Sequence, residues 1–190
     1  MNRILLTGGA GCGKSSYGES LAISLPEPRY YIACMEPFNA ASRQSIARNR
    51  QQRQAGGFIN IEQYRDIAGL ILPQRGTVLL ECICNLTANE MFGAEDIDVL
   101  AVERILRGIH HLAAQCTHLI VVTNDIGSGG SIYDQETERY IKAVGTINRR
   151  LAADFEYVFE LVCGIPLVIK GDQDAANGLV NKFCGNPQHG

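Results

Sequence analysis

Short apolar runs alternate along this chain with longer stretches in which apolar residues return every three or four positions. Ile4-Leu5-Leu6, Tyr30-Tyr31-Ile32-Ala33-Cys34, Val78-Leu79-Leu80 and Leu119-Ile120-Val121-Val122 read as buried strands, because each is too short for a helix and apolar on both faces. Residues 16–25 read as a helix. Residues 96–116 place Leu100, Ile105, Ile109, Leu112 and Cys116 on one helical face, and residues 135–155 do the same with Ile141, Val144, Ile147, Leu151 and Phe155. Residues 42–53 are polar and basic and read as helical at first, then looped. Residues 58–62 form a short alternating segment, and residues 64–72 read as a helix stopped by Pro73. Residues 157–163 and 166–170 read as two strands joined by a tight turn at Gly164-Ile165, hence antiparallel to each other. Strands alternating with helices predict an α/β fold with a mostly parallel sheet.

Residues 1–170 carry this pattern as one domain. Residues 171–190 are polar, lack periodicity and read as a tail, a candidate for disorder. The chain of 190 residues is 46% hydrophobic, enough for one buried core. Its formal net charge of −3 gives no overall basic field, so nucleic acid is not expected as a partner. No run of 18 apolar residues suggests a membrane span, and the start of the chain lacks a cleavable signal pattern. The seven cysteines are odd in number and have no zinc spacing, which favours small core residues in a reducing cytoplasm.

Gly8-Gly9-Ala10-Gly11-Cys12-Gly13-Lys14-Ser15 satisfies the phosphate-loop pattern, and it lies between a strand and a helix. That setting aims backbone N–H groups and a helix N-terminus at one point, where a phosphate fits. Lys14 supplies charge for the outer phosphates, and Ser15 a hydroxyl for Mg²⁺. GTP or ATP is therefore the expected substrate. A loop cysteine, Cys12, is either a small tolerated residue or a reactive thiol beside a helix N-terminus.

Glu81 ends an apolar strand, where an acid holds the metal shell or polarises an attacking group; the plainer reading is a surface acid. Asn124, after the strand at 118–122, either senses a phosphate or belongs to turn chemistry with Asp125. Arg43, Arg48, Arg50 and Arg53 form either a second phosphate site or a solvated helix face. The four histidines, His110, His111, His118 and His189, read as structural or solvated.

These residues resemble the bifunctional adenosylcobinamide kinase / adenosylcobinamide-phosphate guanylyltransferase family of cobalamin assembly. The resemblance runs from Arg3 to Lys170 and rests on five motifs in order. They are the loop at Gly8, departing at Gly11 and Cys12; Tyr31-Ile32-Ala33; Leu79-Leu80-Glu81-Cys82 with Asn89; Val122-Thr123-Asn124-Asp125-Ile126-Gly127-Ser128-Gly129; and Gly145-Thr146-Ile147-Asn148-Arg149-Arg150-Leu151-Ala152. The resemblance implies a three-layer, RecA-like phosphate-loop domain, adenosylcobinamide as the corrinoid substrate, and a homo-oligomer, a trimer.

It also implies a nucleotide site made of the loop residues together with Cys34, Met35, Arg50, Arg53, Glu62 and Glu81, Ser15 and Glu81 serving the metal and Lys14 and Glu81 the chemistry. The family carries GMP on a histidine; here Asn49 stands in that place, although the surrounding arginines and Glu62 match. An amide nitrogen, its lone pair delocalised into the carbonyl, is a poor nucleophile, so the covalent guanylyl intermediate is expected to be absent. The expected activity is nucleotide-dependent phosphorylation of adenosylcobinamide. The alternatives are a catalytically degenerate GTP-binding regulatory module and a kinase for another alcohol.

Overall fold

The computed structural model describes residues 2–37, 39–93, 100–127, 132–172, 174 and 178. The strands are β1 (Asn2–Thr7), β2 (Arg29–Ala33), β3 (Phe58–Glu62), β4 (Thr77–Leu80), β5 (His118–Val122), β6 (Tyr157–Val162) and β7 (Ile165–Lys170). The helices are α1 (Lys14–Ile23), α2 (Ala40–Ala55), α3 (Ile83–Phe92), α4 (Ala101–Gln115) and α5 (Gln135–Asp154). Among the described residues the strands form one sheet in the order β3-β2-β4-β5-β1-β6-β7. Every neighbouring pair is parallel except β6 with β7.

Side-chain alternation along the strands makes three layers. Leu5, Tyr30, Ile32, Val78, Leu80, Leu119 and Val121 point to one face, where they pack with Leu86 of α3, Ile105, Ile109 and Leu112 of α4, and Ile147 and Leu151 of α5. Their neighbours Ile4, Leu6, Tyr31, Leu79, Ile120 and Val122 point the other way, onto Tyr17 and Leu21 of α1. Both faces are buried, which is why these strands are apolar throughout. Gly18 lets α1 approach closely: a Cβ there would sit 3.2 Å from Leu6 and from Leu79.

Four local expectations are corrected. Residues 64–72 do not form a helix but a 3-10 turn at Ile67–Gly69, entered through a left-handed Asp66 (φ 48°) and left through an extended Leu70. Tertiary contacts override the local pattern there. Glu90 accepts from the Asp66 N–H, Gln115 accepts from the Leu72 N–H and donates to the Leu70 carbonyl, and Gly108 of α4 leaves room for the Ala68 backbone. The basic segment stays helical to Ala55 and stops at Gly56-Gly57, where Gly57 has φ 81°. The β6–β7 turn is Cys163-Gly164, both left-handed (φ 51° and 82°) as a two-residue hairpin turn requires, so Ile165 already belongs to β7. Leu100 precedes α4 and is 63% exposed, whereas Ile105, Ile109, Leu112 and Cys116 are buried as expected. Residues 96–99 of that expected helix, positions 128–130 of the glycine-rich loop and most of the tail lie outside the described residues.

Candidate functional site

The site lies at the C-terminal ends of the parallel strands, where side chains of an open sheet converge on a crevice. The loop leaves β1 at Gly8, with φ 137°, and a Cβ on Gly8 would sit 2.6 Å from the Leu161 carbonyl oxygen. Gly13, with φ 94°, immediately precedes α1 and packs against the Gly164 backbone. The Gly164 N–H donates to the Cys12 carbonyl over 2.9 Å, so the β6–β7 turn braces the loop from outside. Lys14 is buried. Its ammonium donates to the Gly8 carbonyl (3.1 Å), the Gly9 carbonyl and the Cys12 thiol (3.4 Å). The first turn of α1 carries no acidic residue, so the positive end of its dipole is not offset by a carboxylate on the helix itself.

A cleft of about 410 Å³ runs over this loop. Gly11, Cys12, Gly13, Lys14 and the exposed Ser15 form one wall; Glu81 and Cys82 beyond β4, Asn85 of α3 and Asn124 beyond β5 form the other. β5 lies between β1 and β4, so loop and acid face each other across one intervening strand.

Both oxygens of Glu81 are engaged. Oε2 accepts from the Cys34 N–H (3.1 Å), and Oε1 lies 3.8 Å from Arg53 Nη2. A hydroxyl and a carboxylate on one cleft are hard oxygen donors and fit Mg²⁺; with Glu81 already held, contact through a water ligand suits it best. Asn124 is positioned by α5. Asn148 donates to its carbonyl (3.2 Å), and the buried Thr123 hydroxyl donates to Asn148 (2.7 Å).

The remaining candidate residues divide. Arg53 reaches Glu81, and Cys34 touches it through its backbone. The buried Cys34 thiol is pushed up, first by burial and then by Glu81, which disfavours it as a nucleophile. Arg50, Glu62 and Tyr64 form a separate surface cluster: Arg50 pairs with Glu62 at 3.1 Å, and the Tyr64 hydroxyl donates to Glu62 at 2.9 Å. Burial and Glu62 push the Tyr64 phenol up to about 12. Arg43 and Arg48 are exposed on α2, so the four arginines do not act as one cluster. Met35 is half-buried, as is Asn49, which lies one helical turn before Arg53 on the same face of α2.

Sequence reasoning missed Asn85, because α3 was not expected, and gave no role to Asn148, although it lies in a quoted motif. The sequence shows Cys82 and Cys84 as a close C-x-C pair without zinc spacing; what it does not show is that the two thiols interact at the start of α3. The hydrogen bond from Cys82 holds the Cys84 thiol below its ordinary value, and the same contact, with burial, pushes Cys82 up.

A parallel sheet with a glycine loop and buried lysine after β1, and an acid after β4, defines the phosphate-loop class of α/β domains. A solved structure, a prototypical ATPase from a type III secretion system of pathogenic bacteria, shares this fold with a TM-score of 0.52 at 8% identity, covering 94% of this chain and 61% of that one. The profile of the cobinamide kinase / cobinamide phosphate guanyltransferase family matches residues 4–169, and the chain belongs to that family of transferases. The bifunctional adenosylcobalamin biosynthesis protein CobU of Salmonella typhimurium is 31% identical, covering 88% of this chain and 99% of that protein. The protein of the same name in Escherichia coli is 29% identical with the same coverage. The bifunctional adenosylcobalamin biosynthesis protein CobP of Pseudomonas aeruginosa is 27% identical, covering 90% of this chain and 98% of that protein.

Proposed function

We propose that this protein transfers the γ-phosphoryl group of GTP or ATP to the aminopropanol hydroxyl of adenosylcobinamide. The observation that carries the reading is the single cleft shared by Lys14, Ser15 and Glu81 in a chain of this family. The loop N–H groups and Lys14 hold the outer phosphates and stabilise charge on the phosphoryl group in flight. The bond from the γ-phosphorus to the β-bridging oxygen breaks as the hydroxyl oxygen bonds to phosphorus, leaving a nucleoside diphosphate and releasing the hydroxyl proton to water. Glu81 orients the metal shell or polarises that hydroxyl. Mg²⁺, when bound by Ser15 and through water by Glu81, neutralises phosphate charge. Arg50 and Glu62 contact the guanine nucleotide, by resemblance.

Guanylyl transfer through a covalent histidine does not operate at position 49, because Asn49 offers no nucleophilic nitrogen. The protein acts in the cytoplasm; no described helix is long and apolar enough to cross a membrane. A homo-oligomer, a trimer by resemblance, is supported by the exposed row Ile165, Leu167 and Ile169 on the edge strand β7.

Incubation with Mg²⁺, GTP or ATP and adenosylcobinamide tests the reading. Adenosylcobinamide phosphate is the expected product. Tight nucleotide binding without turnover would instead make the protein a binding module, and turnover only with a different alcohol would reassign the substrate.

A further inference from the structure

Arg53 faces the cleft acid without lining the cleft. Its guanidinium carbon sits 3.6 Å above the Tyr31 ring, its Nε donates to Glu19 of α1 over 2.9 Å, and its Nη2 lies 3.8 Å from Glu81. The side chain is only 11% exposed, and Tyr31 is buried. One residue of α2 thus meets α1, β2 and the end of β4 together.

From this geometry we propose that Arg53 is a positioning residue for Glu81, acting on phosphoryl transfer through that acid rather than by touching the nucleotide. The proposal rests on the role assigned to Glu81 above. Glu19 and Glu81 share one cation. Removing it takes the shared cation from two neighbouring carboxylates beside a buried ring, and among the described residues leaves the Cys34 N–H and the Tyr31 phenol to hold Glu81. The stacked, forked arrangement needs a planar guanidinium, so a lysine meets the charge requirement but not the geometry.

The test is steady-state kinetics with Mg²⁺, GTP and adenosylcobinamide on R53A, R53K, E81Q and the R53A/E81Q pair. Loss of a residue that orients a functional carboxylate lowers turnover about 10- to 100-fold. The proposal expects that fall in kcat for R53A with KM for nucleotide nearly unchanged, an intermediate fall for R53K, and no further loss when R53A is added to E81Q. A large rise in nucleotide KM, or losses that multiply in the double variant, would overturn it by making Arg53 a direct nucleotide contact. If R53A does not fold, R53K combined with E81Q carries the same comparison. Full activity in E81Q alone would refute the role of Glu81 itself, a different failure visible before any Arg53 variant is read.

Discussion

The phosphate loop and the α2–β3 arm are built by opposite means. The loop is shaped by backbone: Gly8 against the Leu161 carbonyl, Gly13 against Gly164, and a lysine bonded to loop carbonyls. Beyond the pairing of β3 with β2, the arm is held by charge: Arg53 to Glu19 and Glu81, and Arg50 to Glu62. Backbone shape is specified by which positions must be glycine, so any side chain there is costly. Charge pairing depends on partners far apart in sequence, so most arm positions tolerate change while a buried one such as Arg53 does not.

The sharpest break on the loop side is K14A. Removing one preorganised cation should lower turnover about 10²–10³-fold, read as kcat/KM for phosphoryl transfer. G8A comes next. Its Cβ would meet a carbonyl oxygen at 2.6 Å in a left-handed conformation, so we expect a loss of about 2–4 kcal/mol in urea unfolding. On the arm side, N49H should produce protein labelled from α-phosphate-marked GTP, with an acid-labile phosphorus–nitrogen bond, whereas the unaltered chain stays unlabelled. Label on the unaltered chain would contradict the account of Asn49.

The smallest effect lies away from both regions, at the ion pair of Arg3 with Glu156. Hydrogen bonds from Arg3 hold the Glu156 carboxyl below its ordinary 4.5. A carboxyl depressed in the folded state stabilises above the unfolded value and loses that contribution as pH falls through the folded one. E156Q should therefore cost about 0.2–1 kcal/mol near neutrality, the low end favoured because the carboxylate is 41% exposed, and the deficit should shrink as pH falls below the ordinary carboxylate value and the folded-state carboxyl takes up its proton.

What the chain discloses about itself follows the same division. Four buried strands and the loop were legible because apolar runs and glycine spacing are local. The faces of α4 and α5 were legible from periodicity, Leu100 excepted. Residues 64–72 misled because Gln115, Glu90 and Gly108, distant in sequence, decide their path. The arginines of α2 read as one group, yet their partners Glu19, Glu62 and Glu81 come from three other segments, so neither the split nor the burial of Arg53 could be seen locally. Asn85 stayed hidden because α3 has only a weak apolar stripe.

The most direct test is a calorimetric titration of Mg²⁺-GTP and Mg²⁺-ATP into the unaltered protein and into K14A. Saturable heat with at least one nucleotide, lost or greatly weakened in K14A, is the predicted result. No heat with either nucleotide, or equal affinity in the two proteins, would contradict a triphosphate seated in the loop.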